Sequence, residues 1–221
     1  MTATLTPWIW IVEDDVDLAE SMELLFKSAS LPSCIHLPSG QACLDLVEVE
    51  RMRALQPGCI LLDIRLGDLS GTEVFAKLQS LQCPWPVIFM TGHGDLQMAV
   101  DLLRQGAFDY VTKPCEPMVL VEKVTQALAL SHDRVQLINE QRQHLERLSS
   151  LTKHEQLVLQ FILSHKTNRE IAEEMNNSTR TIETHRANIL KKMETSSALE
   201  LAQFHERFLL RGGQVPFDTP M

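Results

Sequence analysis

Two hydrophobic rhythms divide this chain. In the first half, short apolar runs each stop at a polar group or a proline. Trp8-Ile9-Trp10-Ile11-Val12 stops at Glu13-Asp14-Asp15, and Cys34-Ile35-His36-Leu37 stops before Pro38. Cys59-Ile60-Leu61-Leu62 stops at Asp63, Pro86 to Met90 at Thr91, and Asp109 to Thr112 at Lys113-Pro114. Runs this short, bounded by turn residues, read as strands buried on both faces. The stretches between them carry helical spacing instead. Asp17–Ala29 places Leu18, Met22, Leu25 and Phe26 on one side, and a second helix runs from Ser39 to about Met52. A third, Thr72–Leu81, turns Val74, Phe75 and Leu78 inward, and a fourth runs from a cap at Asp95 to Gln105, where Gly106 stops it. Five strands alternating with helices predict a doubly wound α/β layer with a parallel sheet.

From Glu116 onward only the helical rhythm remains. Glu116 to Leu148 holds no glycine, and Pro117 suits a first helical turn. Val121, Val124, Leu128, Val135, Ile138 and Leu145 form a stripe that Ser131 and Arg142 interrupt. Its first half should pack on the sheet. Its second half, from Asp133, reads equally as a pairing helix or as a kinked, solvated connector. Beyond it, Thr152 with Glu155 and Thr167 with Glu170 have capping-box spacing, each opening a helix. Leu157, Val158, Phe161 and Ile162 form the expected inner face of the first of these, and Ile171, Ala172 and Met175 that of the second. Asn176-Asn177 makes a tight turn, Ser178 starts a helix to Met193, Ser197–Arg211 is a last helix, and Gly212-Gly213 leads into a tail. The predicted organisation is an α/β domain over residues 1–130, a helical linker over 131–148, an all-α domain over 149–213 and a flexible tail over 214–221.

Charge supports that division. The 221 residues carry a net charge of −9. Residues 1–150 hold 11 Lys/Arg against 20 Asp/Glu, whereas residues 151–221 hold 9 of each. The acidic excess therefore belongs to the first part, which implies different partners for the two. No run is apolar for long enough to span a membrane, and no signal peptide is visible at the N-terminus. The five cysteines form no Cys-x-x-Cys pair and read as reduced thiols of a cytoplasmic protein.

In an open parallel sheet, chemistry collects at the carboxyl ends of the strands. Those ends gather Glu13-Asp14, Asp63, Thr91 and Lys113. Three carboxylates so close repel one another unless a cation sits among them, and Mg²⁺ suits a site that also takes phosphate. Lys113 and Thr91 could then receive phosphoryl oxygens, making Asp63 a competent nucleophile. In the second part, Arg180, Arg186, Lys191 and Lys192 face Glu183 alone within residues 176–193. Ile182, Ile189, Leu190 and Met193 share one side of that helix. Arg180, Thr184, Ala187, Asn188 and Lys191 lie opposite, with Glu183 flanking them and Thr181 near its start. Two helices across a tight turn, the second basic, read as a helix-turn-helix whose outer face enters a major groove. His185 and Lys192 lie towards a flank and suit phosphate contacts, and Arg186 falls nearer the inner side.

These residues carry a resemblance. Glu13-Asp14, Asp63, Thr91 and Lys113-Pro114 resemble the acid pocket, phosphoacceptor, switch hydroxyl and Lys-Pro pair of response-regulator receiver domains. Met90-Thr91-Gly92-His93-Gly94-Asp95 and Gly106 to Pro114 are similar to the FixJ-like branch. Leu151-Thr152 with Glu155, Asn168 to Ala172, Ser178 to Arg186 and Leu190 to Met193 are similar to the LuxR/NarL four-helix DNA-binding domain. The resemblance implies a flavodoxin-like receiver followed by an all-α helix-turn-helix domain. It further implies a phosphorelay regulator of transcription that takes phosphoryl on Asp63 from a sensor histidine kinase, dimerises and binds double-stranded promoter DNA. Asp14 would be the direct Mg²⁺ ligand, Glu13 would act through water, the Arg65 carbonyl would complete the set, and Tyr110 would be the switch aromatic. Asp15 is a second candidate for the pocket. Two positions depart from the pattern: Gly67 stands where the family usually has Pro, and Lys153 where many relatives have an acidic or small residue.

An aspartyl-phosphate hydrolase of the haloacid-dehalogenase type also uses Asp after a strand, but needs a second Asp where this chain has Arg65. A constitutive DNA-binding dimer with an unmodified receiver, or phosphorylation that releases an inhibitory domain contact, remain as alternatives.

Overall fold

A computed structural model describes residues 7–50, 56–92 and 96–210. The expected end of the second helix near Met52, the Asp95 cap with the preceding His93-Gly94, and the Gly212-Gly213 tail lie outside the described residues. The described chain falls into two compact units that divide between Leu137 and Ile138.

Unit one holds five parallel strands, β1 (Trp8–Val12), β2 (Cys34–Leu37), β3 (Gly58–Asp63), β4 (Val87–Thr91) and β5 (Asp109–Thr112), in the order β2-β1-β3-β4-β5. Helices α1 (Val16–Ser28), α2 (Gly40–Glu50), α3 (Gly71–Ser80) and α4 (Leu96–Arg104) connect them. Side chains alternate between the two faces of a strand, so each strand feeds two cores. Trp10, Val12, Ile60, Leu62 and Phe89 pack against α2 and α3. Ile9, Ile11, Cys59, Leu61, Ile88 and Met90 pack against α1 and α5 (Pro117–Ser149). All six residues of β3 are buried, as expected of the central strand. Strand order reverses between β1 and β3, which opens a crevice above their carboxyl ends.

Local chemistry sets several boundaries. The Asp15 side chain accepts from the Leu18 amide at 3.1 Å and caps α1, so this candidate for the acid pocket is occupied as a cap. Ser70 and Glu73 form a capping box that opens α3. Gly71 is forced by space, since a Cβ there would lie 2.1 Å from the carbonyl oxygen of Asp63. Ser131 does not simply interrupt the α5 stripe. It is fully buried, and its Oγ accepts from the Gly58 amide at 2.9 Å, satisfying the first residue of β3. The cysteines are free thiols, and burial pushes Cys43 up to about 12.

Unit two contains α6 (Lys153–Leu163), α7 (Asn168–Glu174), α8 (Thr179–Lys192) and α9 (Ala198–Leu210). Both expected capping boxes form, Thr152 with Glu155 and Thr167 with Glu170. Leu148, Val158, Leu159, Ile162, Ile171, Ile182, Ile189 and Leu201 make the core. Leu157 is not on the inner face of α6 as expected. It is 38% exposed, and Leu159, two residues on, takes the buried place. Leu145, expected in the α5 stripe, is 36% exposed. No helix among the described residues is long and apolar enough to cross a membrane.

Candidate functional site

The crevice above β1 and β3 brings together the polar groups that end four strands. Carboxylate oxygens of Glu13, Asp14 and Asp63 lie within 4.8 Å of one another. Lys113, next after β5, reaches back so that Nζ stands 2.6 Å from Glu13 Oε2 and 2.9 Å from Asp63 Oδ2. Glu13 and Asp63 are buried, whereas Asp14 is exposed at the mouth. Burial raises the Glu13 carboxyl above its ordinary range, with the charge of Asp63 adding to the rise and Lys113 opposing it. Burial alone would lower Lys113, but the hydrogen bonds and charges of Glu13 and Asp63 outweigh it and hold the ammonium above its usual value. The pocket is thus a carboxylate triad with one cation set into its buried side.

Thr91 completes the wall. It is fully buried at the end of β4, and its Oγ1 has no hydrogen-bond partner among the described residues. A buried hydroxyl without a partner costs free energy, on the order of 1–3 kcal/mol, which marks Thr91 as a candidate for contact with a ligand. Tyr110 pairs in register with Phe89 on the neighbouring strand and is half-buried, with Lys123 Nζ 5.9 Å from its ring centre. Lys123 is also paired with Asp109. Arg65 is exposed and bridges to Ser70 across the loop that follows Asp63. A Cβ on Gly67 would stand 3.5 Å from Asp14 Oδ2, so this loop runs past the acid pocket at van der Waals distance.

Two contacts at this site were not visible in the sequence. His36, on β2, donates from Nε2 to the Glu13 carbonyl at 2.8 Å, because a carbonyl can only accept. Asp68 accepts from the Gly40 and Gln41 amides at 2.9 Å each. Neither partner lies near in sequence, and neither residue belongs to a local motif.

The second candidate site is the outer face of α8. Arg180, Glu183, Thr184, Ala187, Asn188 and Lys191 are exposed, while Ile182, Ile189 and Met193 are buried. Ser178 caps the helix through the Thr181 amide, and Thr181 Oγ1 lies 2.8 Å from Ser178 Oγ. Thr184 Oγ1 donates to the Arg180 carbonyl at 3.0 Å, which leaves its lone pairs facing outward. His185 stacks beside His154 of α6, with ring centres 6.2 Å apart. Arg186 is half-buried. Lys192, expected to face phosphate, also has a partner inside the fold: Nζ lies 2.7 Å from Glu155 Oε2 and 3.3 Å from the Ser150 carbonyl. Burial raises Glu155, but the bonds from Lys192 and Thr152 prevail and hold it below its ordinary range. The capping-box pattern identifies Glu155 as a cap and is silent on this second role.

Comparison with known proteins assigns a family to each part of the chain. Residues 9–125 match the response regulator receiver domain, and residues 149–205 match the bacterial regulatory proteins of the luxR family. The chain is 35% identical over 200 residues to the response regulator protein TmoT of Ectopseudomonas mendocina, covering 90% of this chain and 88% of TmoT. It is 30% identical over 207 residues to the transcriptional regulatory protein FixJ of Bradyrhizobium diazoefficiens, covering 94% and 96%. The solved structure of the response regulator StyR superposes with a TM-score of 0.79 at 32% identity, covering 91% of this chain and 99% of StyR. With the receiver crevice and the exposed basic helix both in place, the chain belongs to the FixJ-like family of two-component response regulators, in which a receiver domain and a LuxR-type DNA-binding domain together regulate transcription.

Proposed function

We propose that Asp63 is the phosphoacceptor, that a sensor histidine kinase supplies the phosphoryl group, and that the modified protein pairs and binds promoter DNA through α8. The observation that carries this reading is the convergence of Asp63, Lys113 and the partnerless Thr91 hydroxyl on one carboxylate-lined crevice. An Asp63 oxygen attacks phosphorus, the bond from phosphorus to the donor's imidazole nitrogen breaks, and an acyl phosphate forms. Lys113 moves from carboxylate to phosphoryl oxygen, and Thr91 donates the bond it lacks. The carboxylates of Asp14 and Asp63 with the Arg65 carbonyl would hold Mg²⁺, with Glu13 acting through water, and the donor set of hard oxygens fits that ion. When bound, Mg²⁺ supplies charge neutralisation for the incoming phosphoryl group. The chain acts as a regulator rather than an enzyme, the receiver assisting only its own phosphorylation and dephosphorylation. A bacterial cytoplasm goes with this reading, because kinase and promoter meet there.

Movement of Thr91 towards the phosphoryl oxygens vacates space beside Tyr110, whose ring turns inward and reshapes the face of α4, β5 and the start of α5. That face pairs with its copy. On DNA, the face of Arg180, Thr184, Ala187, Asn188 and Lys191, flanked by Glu183 and by Thr181 near the helix start, enters the major groove, and His185 and Lys192 meet the backbone. Acetyl phosphate with Mg²⁺ tests the acceptor: label should appear on wild type and vanish in Asp63→Asn. Full labelling of Asp63→Asn refutes the assignment. Sedimentation with beryllofluoride tests pairing, and a modified protein that stays monomeric yet binds DNA better favours release of an inhibitory contact instead.

A further inference from the structure

The loop after Asp63 has an anchor outside the pocket. Helix α2 starts at Gly40, and the amides of a helix's first turn have no partner within the helix. Here the Gly40 and Gln41 amides both donate to the carboxylate of Asp68, one to each oxygen at 2.9 Å, across 28 and 27 residues. The Ala42 amide donates to Ser39 Oγ at 3.1 Å, and the Cys43 amide to the Ser39 carbonyl at 3.3 Å. One helix terminus is therefore capped twice, locally by Ser39 and from a distance by Asp68. The junction is tight as well: a Cβ on Gly40 would meet Val74 Cγ2 at 2.6 Å and Leu69 Cβ at 3.1 Å. The Gln41 and Gly40 amides hold the Asp68 carboxyl below its ordinary range, so it is a fixed anion against the positive end of α2.

What Asp68 anchors is the segment that faces the acid pocket. Gly67, its neighbour, approaches Asp14, and Arg65 lies three residues before it in the same loop. The same β2–α2 corner also grips the opposite wall. Leu37 accepts the Glu13 amide at 3.1 Å, and His36 donates to the Glu13 carbonyl at 2.8 Å. One corner of the fold thus holds both the strand end bearing the acids and the loop beyond Asp63. With glycine at position 67 the loop lacks the stiffness a proline would give, and an external anchor carries more of the burden.

We propose that Asp68 is a positioning residue for phosphoryl transfer: by tying the Asp63 loop to the N-terminus of α2 it sets the loop's carbonyl and Asp63 against Asp14. The inference rests on Asp63 being the phosphoacceptor and Mg²⁺ its cofactor. It predicts that Asp68 governs metal affinity without touching the metal, as outer-shell partners do.

Ser39 provides the control, because its hydrogen bonds cap the same helix through the Ala42 and Cys43 amides rather than through the loop. Mg²⁺ titration calorimetry, initial rates of acetyl phosphate labelling and thermal melting are compared for full-length wild type, Asp68→Ala, Asp68→Asn and Ser39→Ala. Asp68→Ala should weaken Mg²⁺ binding about 10-fold, the lower end of what losing an outer-shell partner does, and raise the Mg²⁺ needed for half-maximal labelling in parallel. Asp68→Asn keeps one acceptor oxygen and should fall between. Ser39→Ala should lower the melting temperature and leave Mg²⁺ affinity alone. Unchanged Mg²⁺ affinity in Asp68→Ala overturns the proposal, as does an equal loss in Ser39→Ala, which would assign the effect to helix stability. If Asp68→Ala does not fold, wild-type Mg²⁺ affinity in Asp68→Asn overturns it instead. A wild type that takes neither Mg²⁺ nor label refutes the phosphoacceptor reading itself.

Discussion

Replacing Lys192 with alanine separates two roles that one side chain could play. On α8 it stands at the flank of the exposed outer face, yet its ammonium lies 2.7 Å from Glu155, a carboxylate whose side chain is only 6% exposed. Removing the ammonium leaves Glu155 held by Thr152, whose amide lies 2.8 Å away. A hydrogen bond to a charged group contributes about 1.5–3 kcal/mol when buried, and an exposed ion pair about 0–1 kcal/mol. Lys192 is 36% exposed, so the expected loss lies between, at about 1–2 kcal/mol. For a unit of this size that lowers its melting transition by roughly 5–10 °C. The assay is selective by composition. All three tryptophans, Trp8, Trp10 and Trp85, lie in unit one, so their fluorescence reports that unit while far-ultraviolet circular dichroism reports both. Lys192→Ala should shift the dichroism transition of unit two and leave the fluorescence transition in place. Glu155→Gln should cause a comparable shift, and the double variant less than the sum. Superimposable melts, with DNA affinity lowered equally at all sites, would refute the ion-pair argument and leave Lys192 as a phosphate contact alone.

Arg180→Ala and Thr184→Ala should change which DNA sites are bound, because base-edge contacts discriminate by about 1–3 kcal/mol per base pair. Unchanged preference in a randomised-site selection would show that another face of α8 reads the bases. Acid should destabilise unit two through His144, which is 1% exposed with Nε2 3.2 Å from His205 Nδ1. Burial, then the neighbouring His205 and Arg147, lower its pKa from 6.5 to about 4. The folded state therefore prefers neutral His144, so the stabilisation is complete above pH 6.5 and is lost as pH falls towards 4, amounting to about 3 kcal/mol at most. Urea midpoints of unit two should fall across that window in wild type and fall less steeply in His144→Phe, where His205, also lowered by burial, still contributes, and an equal slope in both would reject the assignment.

These tests turn on residues of very different legibility. Asp63 could be read because the hydrophobic run that buries β3 also delivers its last residue to the carboxyl edge, where other strands deliver theirs. Thr152 and Glu155 could be read because a capping box is complete within four residues. The outer face of α8 follows from helical period alone, and Arg180, Thr184, Ala187, Asn188 and Lys191 are exposed as that period requires. Where the period fails, tertiary contacts decide. Leu157 lost its place to Leu159 because both fit an amphipathic helix, and only the position of the partner helices selects between them. Polar residues fail more completely. Ser131 in an apolar stripe reads as an interruption, and nothing in the loop sequence marks Asp68. Their partners are 73 and 28 residues away, as those of Lys192 and His144 are 37 and 61 away. A hydrophobic residue states its destination in its own chemistry, since any apolar interior satisfies it. A hydrogen-bonding residue needs one particular partner in one direction, and nothing in its neighbours in sequence encodes that direction. The pocket's polar groups belong to the first kind of information, being placed by the strands that carry them. The contacts that hold those groups in register, Asp68 on α2 and His36 on Glu13, belong to the second, and for that reason the structure is where a positioning role first becomes visible.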